Sequence, residues 1–517
     1  MKDLTSYLYN FEELIKGNFL YVDKTEYIWQ LVRPSMAGYF LSRPRRFGKS
    51  LTLSTLKAIF EGKRELFQGL TIYDKPYDWK PYPIVHLSFG DYNPINNTSE
   101  KINKYLLRKV NKVFDSYNLT TIQTDDASEA FASLIDILSE RGQVVILVDE
   151  YDKPILDNIT NPNITEIQKC LKGFYSVLKD RNAKERFLFV TGVSKFCHVS
   201  LFSDLNNLTD ISMDARFATM LGYTQEELEA NFADRIEATA GERTIDEYLA
   251  KIKKWYNGYR FEENSKTVYN PVSLSKFFEN GGKFNNYWFS TGTPSFLMEL
   301  TKKQNFDFRA ALKNKLPQIS FSTFEVDNMD PLTLLFQTGY ITIKEAMPYL
   351  GETWYRMDFP NFEVASAFSN YVLNSYSGKT QTSSKQFVAE IIESLNENNL
   401  ERMRYALEVF FAGIPYDVHQ KRESTFQAIF FALFRLLGQY IEAESTTHNG
   451  RIDAVIQTQN DIYLFEFKLD NDPTALEQIK AKEYFKKYLL DKRSIHIVGV
   501  NFDAQHGNLV GWQTEDL

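Results

Sequence analysis

Two stretches decide the fold: Leu41-Ser-Arg43-Pro-Arg45-Arg46-Phe47-Gly48-Lys49-Ser50, and further along Val144-Val-Ile-Leu-Val148-Asp149-Glu150. The first leaves the short apolar run Tyr39-Phe40-Leu41 through a Pro/Arg turn. It then enters Ser50–Phe60, where Leu51, Leu53, Leu56 and Ile59 recur at helical spacing. Gly-Lys-Ser at a strand-to-helix turn is the second half of a phosphate-binding loop. That chemistry needs backbone N–H groups at a helix N-terminus, a lysine for the β/γ oxygens and a hydroxyl for Mg²⁺. Lys49 and Ser50 supply the last two, and Arg45, Arg46, Phe47 and Gly48 are the candidate cradle. Arg43 stands where the loop's first glycine is expected. Taken alone, Gly-Lys-Ser also reads as a basic turn. The second stretch is an apolar strand ending in two carboxylates. Asp149 is then the acid that helps hold Mg²⁺, with Ser50. Glu150 is the one that polarises the attacking water as a general base. An ordinary helix N-cap is the competing reading of Asp-Glu after a strand. Both elements in this order within one α/β pattern argue against it.

Outward from these stretches the first 230 residues alternate strand-like and helix-like patterns. Ile84–Phe89, Val144–Val148 and Arg186–Thr191 read as strands; about 100–117, 127–141 and 165–180 read as helices. Apolar strands separated by helices imply a parallel sheet covered on both faces. Gln225–Lys254 turns helical. Residues 255–375 are mixed and aromatic, with strand-like Gly339–Ile343 and Trp354–Phe359. The small polar stretch Ser377–Ser384 is the best linker candidate. Helices to about Gln439 and a strand–strand–helix–strand unit close the chain. The expected domains are 1–230, 231–375 and 376–517.

Composition agrees. The 517 residues suggest about three domains. Hydrophobic residues at 43% and charged residues at 24% exclude wholesale disorder. A net charge of −8 argues against coating nucleic acid through bulk charge, though not against a local basic groove. Two cysteines, Cys170 and Cys197, make neither a disulfide framework nor a four-sulfur zinc site. The six histidines show no ligand spacing. No signal peptide or membrane-length apolar run is visible, so the expectation is a cytoplasmic protein with no membrane partner.

The segment Gly450-Arg-Ile-Asp453-Ala-Val-Ile, a polar turn over Thr458–Asp461, and Ile462-Tyr-Leu-Phe-Glu466-Phe-Lys468 read as a hairpin. If the turn is centred between Gln459 and Asn460, the register pairs Asp453 with Glu466 and Arg451 with Lys468. Directly opposed residues share a face. A slip by one residue would separate the acids. Close carboxylates repel unless a cation sits between them, and oxygen ligands suit Mg²⁺ or Mn²⁺. Asp453 and Glu466 are therefore candidate metal ligands and catalytic residues, and Lys468 orients water or stabilises the pentacovalent phosphorus. The competing reading, a cross-strand salt-bridge cluster, leaves two opposed acids without a reason.

This Asp…Glu-x-Lys arrangement, with a helix and strand after it, looks like the PD-(D/E)XK nuclease superfamily. By that resemblance Gln478 and Lys482 are candidates for touching phosphate, Glu423 matches an acid of the first helix, and Glu444 lies near the start of the sheet. For Gln478, Glu423 and Glu444 a purely structural role stays equally open. Tyr21-Val-Asp-Lys-Thr25, Arg43–Ser50, Asp149-Glu-Tyr-Asp-Lys-Pro154, Thr191-Gly-Val-Ser-Lys195, Trp255–Phe261 and Phe336-Gln-Thr-Gly-Tyr340 resemble the bacterial AAA-ATPase-like proteins. The resemblance covers nearly the whole chain. It implies an AAA+/STAND-type core, a helical lid and a winged-helix-like segment, and an arginine-rich loop is usual there. It makes Thr191 or Ser194 a candidate γ-phosphate sensor, with a strand-ending turn as the equal alternative. Arg216 and Arg260 are candidate transition-state arginines, against the favoured reading of solvated surface arginines.

The leading functional reading is an ATPase, using ATP and Mg²⁺, coupled to metal-dependent phosphodiester cleavage, with DNA ahead of RNA by analogy. A second is a nucleotide-controlled switch whose C-terminal domain only binds nucleic acid or a partner. A third is assembly into homo-oligomers with slow or no hydrolysis.

Overall fold

The computed structural model describes residues 2–93, 97–159, 161–195, 208–288, 295–321, 330–414, 422–440, 454–469, 475–503 and 508–517. The chain divides into two units, Met1–Thr291 with Lys315–Asn361, and Gly292–Asn314 with Phe362–Leu517.

The first unit is built on strands β1 (Ala37–Ser42), β2 (Ile84–Ser88), β3 (Val144–Asp149), β4 (Glu185–Gly192) and β5 (Thr209–Asp210), in the order β2-β3-β4-β1-β5. All neighbours are parallel. The run Val144-Val-Ile-Leu-Val148, β-branched at every position but Leu147, suits a central strand, and every residue of β3 and β4 is buried, as both faces are covered. The expected helices form at Ser99–Ser116, Ala127–Ser139 and Ile164–Ser176. The first is capped by Thr98, whose side chain accepts from Lys101 N, and buries Ile102, Leu106, Val110 and Phe114 along one stripe. Burying each such side chain stabilises by about 1.5–3 kcal/mol. Parallel strands end on one edge. Because β4 lies between β1 and β3, the loop after Ser42 and the turn at Asp149 flank the exit of β4 there, where open α/β sheets bind ligands.

Helices Gln225–Ala240 and Ile245–Tyr256 follow, each opened by a capping box, Thr224 with Glu227 and Thr244 with Glu247. With helix Pro271–Glu279 they enclose Phe232, Tyr248, Tyr256, Tyr269 and Phe277. The same unit holds an antiparallel sheet of β6 (Lys315–Pro317), β7 (Thr342–Tyr349) and β8 (Glu352–Asp358), ordered β6-β8-β7. The expected strand Gly339–Ile343 starts later, at Thr342. Helix Pro331–Gln337 precedes it, and the amides of Gly339 and Tyr340 close that helix on Phe336 O and Leu335 O.

The second unit packs helices Phe362–Ser377, Gln381–Asn396, Leu400–Ala412 and Arg422–Tyr440 with a sheet ordered β12-β11-β10-β9. Its strands are β9 (Ala454–Gln457), β10 (Asp461–Leu469), β11 (Ser494–Asp503) and β12 (Asn508–Asp516). β10 and β11 are parallel, joined through helix Ala475–Ala481, and the other pairs are antiparallel. Ser377–Ser384 is not a linker. Ser377 and Ser384 are buried, and Thr380 caps helix Gln381–Asn396 by accepting from Ser383 N. The units divide instead at Asn361/Phe362, and residues 292–314 join the second, where Phe308 packs on Phe368, Tyr376 and Phe431. No helix among the described residues is long and apolar enough to cross a membrane.

Candidate functional site

The phosphate loop turns sharply into helix Lys49–Phe60. Gly48 takes φ +92° immediately before it, a conformation glycine adopts without cost; a Cβ there would meet no neighbour, so backbone freedom rather than space is what the position needs. Arg43, in the place of the first glycine, is buried. Its guanidinium donates to Ser42 O (3.0 Å), Ser212 O (2.6 Å) and Phe217 O (3.3 Å) and lies over the Phe261 ring. It braces the loop from behind. Phe47 is buried edge-on against Tyr259 and Phe261. Arg46 reaches Tyr287 O at 2.7 Å, whereas Arg45 is exposed and lines the cavity described below.

Lys49 is buried, with Nζ donating to Arg43 O and Pro44 O, both at 2.9 Å. Burial pushes its pKa down, against the nearby charges of Asp149, Glu150 and Asp152. Ser50 Oγ donates to Asp149 Oδ2 at 2.6 Å. Burial pushes the Asp149 carboxyl up, and its Oδ1 is buried without a hydrogen-bond partner among the described residues. A half-buried hydroxyl on a buried carboxylate with one orphaned oxygen fits a hard divalent cation. Glu150 follows in a turn with φ +54°.

Thr191 donates to Leu41 O at 2.8 Å, and Ser194 Oγ to Asp152 Oδ2 at 2.7 Å. Asp152 is a residue the motif reading missed. It is 1% exposed, and its Oδ2 also accepts Val193 N (3.0 Å) and Ser194 N (2.7 Å). Its sequence signal is its place in Asp149-Glu-Tyr-Asp-Lys-Pro154, a string that carried the family resemblance without giving Asp152 a role. Arg216 forks onto Asp214 with its side chain 67% exposed, and Arg260 is tied to β7 through Thr342 Oγ1 and Lys344 O. Beside the loop lies a cavity of about 450 Å³, a size that suits a nucleotide. Arg45–Thr52, Glu150, Asp152 and Lys153 form one wall, and the N-terminal Leu4–Tyr9 segment, Tyr223 and Pro271–Val272 contribute to the rest.

In the second unit β9 and β10 pair as Ile462 with Gln457, Tyr463 with Ile456, Leu464 with Val455 and Phe465 with Ala454. That is the register expected from a turn centred between Gln459 and Asn460. Asp453, Arg451 and Glu444 lie outside the described residues, as does the side chain of Glu423. Tyr463, Phe465 and Phe467 form the aromatic face, stacking on one another, and Phe465 and Phe467 meet Phe430 and Phe434 of helix Arg422–Tyr440. Ile462 and Leu464 share the other face with Val455, Ile479, Ile495 and Ile497. Glu466 continues that second row, 3% exposed, and Gln478 Nε2 donates to its Oε1. Lys468 is half-buried. The helix ends at Ala481, and Lys482, one turn beyond Gln478, is exposed. Among the described residues no group of three His, Cys, Asp or Glu side chains is arranged to hold a metal ion. His496 is buried between Asp461 (2.9 Å) and Asp516 (2.6 Å), a contact that spacing did not reveal.

A family model described as "Predicted AAA-ATPase" matches residues 7–202. One described as "PD-(D/E)XK nuclease superfamily" matches residues 421–512. A protein of Azotobacter chroococcum mcd 1, described as "Uncharacterized protein in vnfD 5'region", is 36% identical over 531 residues, covering 100% of this chain and 99% of the relative. No solved structure matches the chain.

Proposed function

This chain belongs to the AAA-ATPase-like family and carries a C-terminal PD-(D/E)XK nuclease-superfamily domain, and from that premise we propose that ATP binding and hydrolysis govern metal-dependent cleavage of phosphodiester bonds, with DNA as substrate. The observation that carries the ATPase half is the 2.6 Å hydrogen bond from Ser50 to Asp149 beside the buried Lys49. Ser50 and Asp149 would hold Mg²⁺, which would neutralise phosphate charge. Lys49 exchanges the carbonyls of Arg43 and Pro44 for phosphate oxygens. The backbone of Arg45–Gly48 cradles the phosphates, Thr191 or Ser194 senses the γ-phosphate, and Glu150 takes the proton of the attacking water. For the nuclease half, Glu466 sits buried at the end of an apolar row, held by Gln478. Asp453 and Glu466 would share Mg²⁺ or Mn²⁺, and Lys468 orients the attacking water.

The test is an assay of the purified chain for ATP hydrolysis, and for cleavage of linear, circular and single-stranded DNA with Mg²⁺ or Mn²⁺, with and without ATP. Turnover of ATP and metal-dependent DNA cleavage that changes with ATP are expected. A chain that binds no divalent ion and cuts no DNA under any of these conditions overturns the nuclease half.

A further inference from the structure

The ATPase reading gives no task to Phe336-Gln-Thr-Gly-Tyr340, yet the first unit folds this segment against several parts of the phosphate site. Gln337 is 6% exposed, and its Oε1 accepts Lys195 N–H at 2.9 Å. Gly339 has φ +86°, and a Cβ there would come within 2.6 Å of Pro44, so glycine lets this turn lie on the phosphate loop. The Tyr340 ring meets Trp288 at 5.1 Å, and Trp288 Nε1 donates to Arg45 O at 3.4 Å.

Lys195 belongs to the loop that leaves β4. Asp152, on the same turn as Asp149 and Glu150, holds Val193 and Ser194 of that loop. Lys195 Nζ pairs with Asp210 of β5 at 2.8 Å. The loop is therefore clasped by the acidic turn on one side and by Gln337 on the other. We propose that Gln337 is a positioning residue for ATP hydrolysis: from helix Pro331–Gln337 its carboxamide oxygen fixes the Val193–Lys195 loop and, through Asp152, sets the acidic turn against the phosphate loop.

This rests on the ATPase reading. Nucleotide binding depends on Lys49, the loop amides and Ser50, which anchors Asp149 through its own 2.6 Å hydrogen bond, whereas Gln337 Oε1 accepts from Lys195 N. The alignment of Glu150 with the attacking water depends on the clasp. Losing Gln337 therefore acts on turnover and not on affinity. The acceptor oxygen is the group that matters, because Gln337 Nε2 has no hydrogen-bond partner among the described residues.

The experiment compares the full chain with Gln337→Met and Gln337→Ala, which lack the acceptor, and Gln337→Glu, which keeps it. ATP affinity is read with a fluorescent ATP analogue, kcat and KM by phosphate release, and folding by circular dichroism. Gln337→Met and Gln337→Ala should lower kcat roughly ten- to a hundredfold at unchanged KM and affinity, since small misplacements of reacting groups cost that much. Gln337→Glu should recover most of the loss. Wild-type kcat in the Met and Ala variants, or affinity falling in step with kcat in all three, overturns the assignment. So does unfolding of both acceptor-less variants, which makes the residue structural. A wild type that neither binds nor hydrolyses ATP overturns the ATPase reading as well, which separates the two failures.

Discussion

Lys49 is a buried ammonium satisfied by two backbone carbonyls. Replacing it with alanine removes the charge that meets phosphate at the cost of two unpaired carbonyls, about 1–3 kcal/mol each if buried. Lys49→Ala should therefore abolish measurable ATP binding with the fold intact, checked by nucleotide titration beside circular dichroism; unchanged affinity would sink the loop assignment. Glu150 has no phosphate to hold, so Glu150→Gln should bind ATP normally and hydrolyse it roughly two to four powers of ten more slowly. Equal loss of binding and turnover would instead mark it as structural. At this scale the meeting of Ser50 with Asp149 was legible, because phosphate chemistry restricts the type and order of residues at such a loop and strand end. Arg43 and Asp152 were not. Arg43 works through carbonyls of residues 42, 212 and 217, and Asp152 through amides of 193 and 194, contacts that exist only after the strands assemble.

Strands reveal themselves by burial, and β4 carries its own cost. Glu185, at its start, is 7% exposed, and burial pushes its carboxyl from 4.5 up to about 7. Its folded pKa lies above the unfolded value. Its contribution is therefore fully favourable below pH 4.5 and is lost as pH rises through about 7. Glu185→Gln should leave stability unchanged near pH 4.5 and raise it by roughly 1–3 kcal/mol at pH 8. Unfolding midpoints at the two pH values decide it, and equal midpoints at pH 8 would contradict the burial account. The hairpin register of β9 and β10 was legible because the polar turn at Thr458–Asp461 sets where the chain reverses, and the two-residue side-chain period excludes a slip by one. β12 was not, because Asn508–Asp516 is an edge strand whose sequence lacks a clean apolar alternation. Ser377–Ser384 misled because serine and threonine serve helix caps as readily as linkers.

At the scale of the whole molecule, one chain carries an AAA-ATPase-like domain and a PD-(D/E)XK nuclease-superfamily domain. A buried acid stands in each unit, Asp149 in the first and Glu466 in the second. The order of the units was readable from motif order. The division at Asn361/Phe362 was not, since residues 292–314 join the second unit through aromatic contacts distant in sequence. If the two sites are chemically separate, a change at Glu466 spares ATP turnover. The most direct measurement is plasmid cleavage with Mn²⁺ and ATP by wild type and Glu466→Gln, with phosphate release followed in the same samples. Wild type is expected to cut, and Glu466→Gln to hydrolyse ATP at the wild-type rate but leave the plasmid intact. Cleavage by Glu466→Gln equal to wild type, or no cleavage by either, would contradict it.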